Sequence, residues 1–201
     1  ALLGGETAEM PGLYRDGEFD IAGTIVGVVD RKKIVDGKKI KAGDVLIGLP
    51  STGLHTNGYS LARKVLLPRY SLQKHIRELN DSLDKILLAV HRSYLSPIQH
   101  LVAKNIVHGM SHITGGGIVG NTMRVIPRGL KLSVEWESWQ RPAIFSLIQK
   151  KGNVPENDMR RTFNLGIGMI FVVARRNVDL ALRILRRHKE LPVVIGDVIR
   201  N

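Results

Sequence analysis

An α+β fold, with helices packed on a mixed β-sheet, is what this sequence predicts. Three observations carry the prediction. Short apolar runs rich in β-branched residues recur at 45–49, 167–174 and 192–199. Stretches with apolar residues at helical spacing lie between them. Glycine-bearing loops punctuate the joins. The chain has 201 residues, 43% of them hydrophobic, enough for one core or slightly more. It has no cysteine, which excludes disulfide staples, thiolate metal sites and a thiol nucleophile. No apolar run reaches the ~18 residues of a membrane-spanning helix, and no basic-then-apolar leader opens the chain. A cytoplasmic protein is expected.

The elements follow in order. Residues 4–14 read as a loop with glycine, proline and carboxylates. Residues 19–29, with Ile21, Thr24, Ile25, Val26, Val28 and Val29, read as a strand. Residues 31–42 are polar, with an Asp36-Gly37 turn signal, and are expected to link two domains. A strand at 45–49, a polar loop at 50–58 and a helix at 59–67 come next. A helical pattern over 84–105 is broken at Pro97. Residues 106–113 lead into a second glycine loop, 114–120, and a short helix at 121–126 ends before Pro127. A strand at 130–134, a helix at 139–151 and a buried strand at 167–174 follow. A basic amphipathic helix at 178–187 and a strand at 192–199 complete the pattern.

Thirty Lys and Arg against eighteen Asp and Glu leave a net charge of +12. Most of these cations fall on solvated helix faces, and aromatic residues are only 5%, thin for stacking on bases. Nucleic acid is therefore not the expected partner; a phosphorylated metabolite suits a smaller basic set.

Four segments concentrate chemistry. In 5–12, Glu6 and Glu9 stand three apart, a spacing suited to Mg²⁺ or the polar edge of a nucleotide, and equally to two exposed loop acids. In 51–60, Ser51, Gly53, His55, Thr56, Asn57 and Gly58 join a strand to a helix. Such a junction offers free N–H donors to an anion, although the loop is no Walker motif and His55 alone reads as well as a loop residue. In 111–117, His112 and Thr114 precede Gly115, Gly116 and Gly117. Three consecutive glycines cost backbone entropy and suit a ligand that approaches the main chain; His112 is a group able to move protons. In 160–169, Asn164 is a polar residue at the start of a buried strand, satisfying backbone groups or facing a cleft. Gly166 and Gly168 alternate along that strand, allowing a close approach. His75, His91, His100, His108 and His188 read as ordinary surface or satisfied residues.

In this order, the strings GGETAEMPG (4–12), GDVLIGLPSTGLHTNGYSLARK (43–64), HITGGG (112–117) and GNVPENDMRRTFNLGIGM (152–169), with the closing 194–196, closely resemble the aminoimidazole ribonucleotide synthetase (phosphoribosylformylglycinamidine cyclo-ligase) family. The resemblance spans nearly all of the chain. The family's N-terminal Asp-Gly-Val-Gly-Thr-Lys motif is absent. Residues 1–30 are thus expected to be a remnant of the ATP-binding domain, with 19–29 its last strand, and 43–201 the second domain.

The resemblance implies ATP-dependent closure of formylglycinamidine ribonucleotide to aminoimidazole ribonucleotide, ADP and phosphate, in purine biosynthesis. It implies ATP and Mg²⁺ as cofactors, a phosphoribosyl substrate and a homodimer in the intact protein. Glu6, Thr7 and Glu9 are placed on the nucleotide side, with Glu6 on the metal. Ser51, Gly53, Thr56, Asn57, Gly58, Thr114, Gly115, Gly116, Gly117, Asn164 and Gly166 are placed on the substrate. His112, ahead of His55, is placed as the proton-handling residue. A chain lacking most of the nucleotide site is expected to be inactive alone. The alternatives are another ATP-dependent enzyme of the same superfamily and a non-catalytic phosphate- or nucleic-acid-binding module.

Overall fold

The structure is a computed structural model that describes residues 3–7, 10 and 12–201. It divides into two units, Ala1–Ile34 and Val35–Asn201.

In the first unit, residues 19–29 form no strand. Ile21, Ile25 and Val28 are 89%, 98% and 101% exposed. β-Branched residues favour an extended chain, but a strand also needs a partner ladder, and none pairs with this segment among the described residues. A short 3-10 turn at Arg31–Lys33 follows.

In the second unit, the strands are β1 (Val45–Pro50), β2 (His75–Ile76), β3 (Asp81–Ser82), β4 (Val107–His112), β5 (Leu130–Val134), β6 (Ile167–Val173) and β7 (Val193–Arg200). The helices are α1 (Tyr59–Leu66), α2 (Leu83–Leu87), α3 (Leu95–Val102), α4 (Gly117–Thr122), α5 (Ala143–Gly152), α6 (Glu156–Thr162) and α7 (Val178–Arg187). The α+β class stands. The main sheet runs β4-β6-β1-β7-β5, and every neighbouring pair is antiparallel rather than mixed. The reason is topological. The crossover β6–α7–β7 leaves a gap of one strand, and β1 fills it, antiparallel to both; β2 and β3 form a separate two-stranded ladder.

Every residue of β6 is buried, because both faces of the sheet are covered. Ile47, Leu49, Met169 and Phe171 pack against Leu101 of α3 and Leu185 of α7. Leu46, Ile170 and Val172 pack on the other face with Ile113, Ile118 and Ile40. A third cluster joins α1, α2, α5 and α6 through Leu66, Leu83, Phe145 and Phe163.

Several boundaries differ from expectation. Residues 35–42 do not hang free as a linker: Ile40 is 4% exposed and belongs to the core. The pattern over 84–105 breaks at 88–94, not at Pro97. Pro97 sits in the first turn of α3, where its missing N–H has no helical partner to lose. The helix expected at 121–126 starts earlier, at Gly117, and ends in a 3-10 turn at Met123–Val125. Helix α5 begins at Ala143, after Pro142, rather than at 139. Helix α6, Pro155-capped and acidic in its first turn, went unread because it carries a single buried residue, Met159.

Candidate active site

The second, third and fourth of the chemistry-bearing segments come together. Residues 51–58 leave β1 at the sheet centre and lead into α1. Residues 112–117 leave β4, and 163–166 lead into β6, the strand between β4 and β1.

Asn164 is the brace. It is 3% exposed. Its Nδ2 donates to Gly53 O at 2.9 Å, and its Oδ1 accepts from Gly166 N at 2.9 Å. Ser51 Oγ lies 3.0 Å from both Gly53 O and Asn164 Oδ1, with one hydroxyl hydrogen to give. Ser51 N donates to Gly166 O at 2.8 Å. These polar groups of Asn164 and Gly166 hold the 51–58 loop to the start of β6. A Cβ on Gly166 would meet Pro142, and one on Gly168 would meet Tyr94 and His55, so side chains of the protein occupy the close approach.

The glycine run is built in the same way. Gly116 N donates to Arg161 O at 2.8 Å, and Gly117 N to Thr114 O at 3.2 Å. Buried Asn121 gathers the run, donating to Gly117 O at 2.8 Å, while its Oδ1 accepts from Thr114 Oγ1 at 2.9 Å. Gly117 adopts φ 66° against the Arg160 carbonyl, where no Cβ fits. Gly58, at φ 79°, likewise lies flat on the Phe163 ring. Gly115 and Gly116 face polar side chains instead, with Cβ positions 3.4 Å from Asn57 Oδ1 and 3.6 Å from Asn121 Nδ2. Thr56 is exposed and Asn57 half-buried beside it.

Three imidazoles form the chemical centre. His55, at φ 58° and 6% exposed, accepts the Thr52 N–H on Nε2 at 3.0 Å, while its Nδ1 is buried without a partner. His91 lies against it, ring centroids 3.8 Å apart. His91 Nε2 is 3.1 Å from His112 Nε2. Burial, with the neighbouring charges of His91, His112 and Arg92, pushes His55 down to about 4. Burial and His91 lower His112 as well. Both rings therefore stand neutral at neutral pH, as a proton acceptor must. His112 is exposed and His55 is not, so of the two only His112 is open to an incoming ligand.

His91, Arg92, Tyr94 and Asn121 were not singled out from the sequence. Arg92 pairs with buried Glu190 at 2.5 Å, its guanidinium stacks 5.0 Å over the Tyr94 ring, and the Tyr94 hydroxyl donates to Pro50 O at 2.8 Å. The signal available was a polar run, His91–Tyr94, interrupting an apolar helical pattern. His108 instead pairs with Asp44 at 2.7 Å, and His100 stacks on His188. A cleft of about 170 Å³ opens beside Ser51, Thr52 and Gly53, with apolar walls from Leu79, Ile86 and Ile144.

Glu6 and Thr7 lie in the first unit and are exposed; Glu9 lies outside the described residues. Among the described residues, the one group of three potential metal ligands is His55, His91 and His112, with ligand atoms within 4.8 Å of one another. Magnesium takes oxygen ligands, so this donor set does not suit it. No helix of the described residues is long and apolar enough to cross a membrane.

A family model described as "AIR synthase related protein, C-terminal domain" matches residues 41–201. The chain belongs to this AIR synthase related family. The family assignment agrees with curated relatives named phosphoribosylformylglycinamidine cyclo-ligase. The protein of that name from Carboxydothermus hydrogenoformans is 48% identical over 200 residues, covering 98% of this chain and 58% of the relative. That from Bacillus cereus strain G9842 is 48% identical over 203 residues, covering 100% of this chain and 59% of the relative. The AIR synthase related chain thus spans under two thirds of the length of those relatives. Among solved structures, thiamine-monophosphate kinase from Stenotrophomonas maltophilia is similar at TM-score 0.58 and 14% identity, covering 86% of this chain and 52% of the kinase. The PurLQS structure from Thermotoga maritima is similar at TM-score 0.51 and 18% identity, covering 87% of this chain and 25% of that one. At such identities the likeness shows the fold alone.

Proposed function

We propose that the chain supplies the second domain of a phosphoribosylformylglycinamidine cyclo-ligase and takes part in ATP-dependent closure of the aminoimidazole ring. The observation that carries this reading is the convergence of 51–58 and 112–117 around an accessible neutral imidazole, in a chain 48% identical to proteins of that name. ATP supplies the phosphoryl group that turns the formyl oxygen into a leaving group. The amidine nitrogen that attacks the formyl carbon must lose a proton as the ring closes, and phosphate leaves.

The chain's own residues have three tasks in this scheme. Thr56, Asn57 and Gly115 offer polar groups to the phosphoribosyl substrate where the two loops meet. Asn164 and Asn121 hold those loops rigid, which keeps reacting atoms in place. His112 accepts the amidine proton. His55, buried with Nε2 bonded to Thr52, sets the loop's shape instead. Residues 1–30 belong to the nucleotide-binding part, with Glu6, Thr7 and Glu9 on that side, in a soluble cytoplasmic homodimer.

The test is phosphate release from ATP by the intact protein with formylglycinamidine ribonucleotide, compared with substrates of related enzymes. His112→Ala should lower turnover about 100-fold or more. Unchanged turnover in that variant, or release driven equally by an unrelated substrate, overturns the reading.

A further inference from the structure

His91 decides where His112 carries its hydrogen. His91 Nδ1 lies 2.8 Å from the Arg92 carbonyl oxygen. A carbonyl only accepts, so His91 Nδ1 carries a hydrogen, and with a single hydrogen on the ring Nε2 is left with its lone pair. That lone pair faces His112 Nε2 at 3.1 Å. Two lone pairs at this distance repel; a hydrogen must lie between them, and only His112 has one to give. His112 is therefore the Nε2–H tautomer, and its Nδ1 is the basic nitrogen.

The carbonyl that sets this order is itself held. The Arg92 side chain is clamped between Glu190, 8% exposed, and the Tyr94 ring, and it reaches Pro50 O. The end of β1, the 88–94 segment and Glu190, three residues past α7, thus converge on the Arg92 side chain.

We propose that His91 is a positioning residue: it fixes the Nε2–H tautomer of His112 and leaves Nδ1 as the proton acceptor in ring closure. The catalytic half of this statement rests on the reading of His112 given above. The same imidazoles do not make a zinc-type site. Such an ion needs nitrogens about 3.3 Å apart on a shared centre. His91 and His112 meet that spacing, but His55 Nε2 already holds the Thr52 N–H, and its ring lies against His91 rather than converging with it.

The test uses the ¹⁵N-labelled chain at about pH 8, above the ordinary imidazole range. Ring-nitrogen NMR should show hydrogen on His112 Nε2, with a ¹⁵N–¹⁵N coupling across the bond to His91 Nε2. His91→Leu should abolish the coupling and speed exchange of that hydrogen about fivefold or more. His91→Gln, whose amide oxygen accepts, should restore slow exchange. Hydrogen on His112 Nδ1 in the unaltered chain, equal exchange in His91→Leu, or stoichiometric Zn²⁺ uptake that displaces the hydrogen overturns the proposal. In the intact protein, kcat should fall in His91→Leu and recover in His91→Gln with KM unmoved. If the NMR result holds while His112→Ala turns over normally, the tautomer lock stands and the catalytic reading fails.

Discussion

Gly117 presses its α-carbon against the carbonyl of Arg160, so the first turn of α4 and the last turn of α6 touch backbone to backbone. The contact explains one glycine of three. At φ 66° with a carbonyl in the Cβ position, Gly117→Ala should destabilise the chain by about 3 kcal/mol or more. Gly115→Ala meets only Asn57 Oδ1 at 3.4 Å and should cost about 1 kcal/mol or less. Urea unfolding of both variants checks the contrast; equal losses would show that the run acts as one flexible turn.

Asn164→Ala removes a donor to Gly53 and an acceptor for Gly166 N inside a buried site. Gly166 N loses its partner out of reach of water, while Gly53 O keeps the Ser51 hydroxyl, a loss of about 1–3 kcal/mol. The same variant should raise amide hydrogen exchange at Gly53 and Gly166 ahead of global unfolding. Unchanged exchange there would mean that the loop holds its shape without the brace.

Stability should fall with acid in a window set by His55. Its folded value of about 4 lies below the ordinary 6.5, so the unfolded chain binds the proton more tightly. The stabilisation is complete above about pH 6.5 and is lost as pH falls toward 4, on the order of 3 kcal/mol in all. His112, also lowered, adds in the same direction. In His55→Gln the slope of unfolding free energy over this window should flatten; an unaltered slope would place the titration elsewhere.

Gly168 leaves the space on β6 that Tyr94 and His55 fill. Gly168→Ala should push both rings outward, break the Tyr94 bond to Pro50 O and cost about 1–3 kcal/mol. It should also shift the His55 ring signals in NMR, which a purely local strand defect would leave in place.

Much of this was legible in the residues. Strands β1, β5 and β6 and helices α1 and α7 follow from β-branched runs and helical spacing, because burial on one or two faces imposes those periods. The motif-bearing loops at 51–58 and 112–117, both glycine-rich junctions next to strands, meet in the structure. What escaped depends on distant partners. The 19–29 segment has strand composition and no ladder among the described residues. Helix α6 has almost no apolar stripe, and is held through Glu156, which Arg141, Gln149 and Arg160 bind and drive down to about 2. His91 sits where an apolar pattern fails, and nothing near it in the chain announces Glu190, which anchors its neighbour Arg92 from 98 residues further on. Asn164 and the glycines looked like ligand contacts because polar and side-chain-free residues serve backbone packing as readily as they serve a substrate.

The order of the main sheet has a bearing on biosynthesis. The middle strand, β1, is translated first among the five, and its two flanking partners, β6 and β7, are translated last. Until more than a hundred further residues have left the ribosome, Val45–Pro50 presents two bare edges and an apolar sequence to solvent. A nascent chain of this design is a natural client for holding chaperones, and a stalled one is a seed for aggregates.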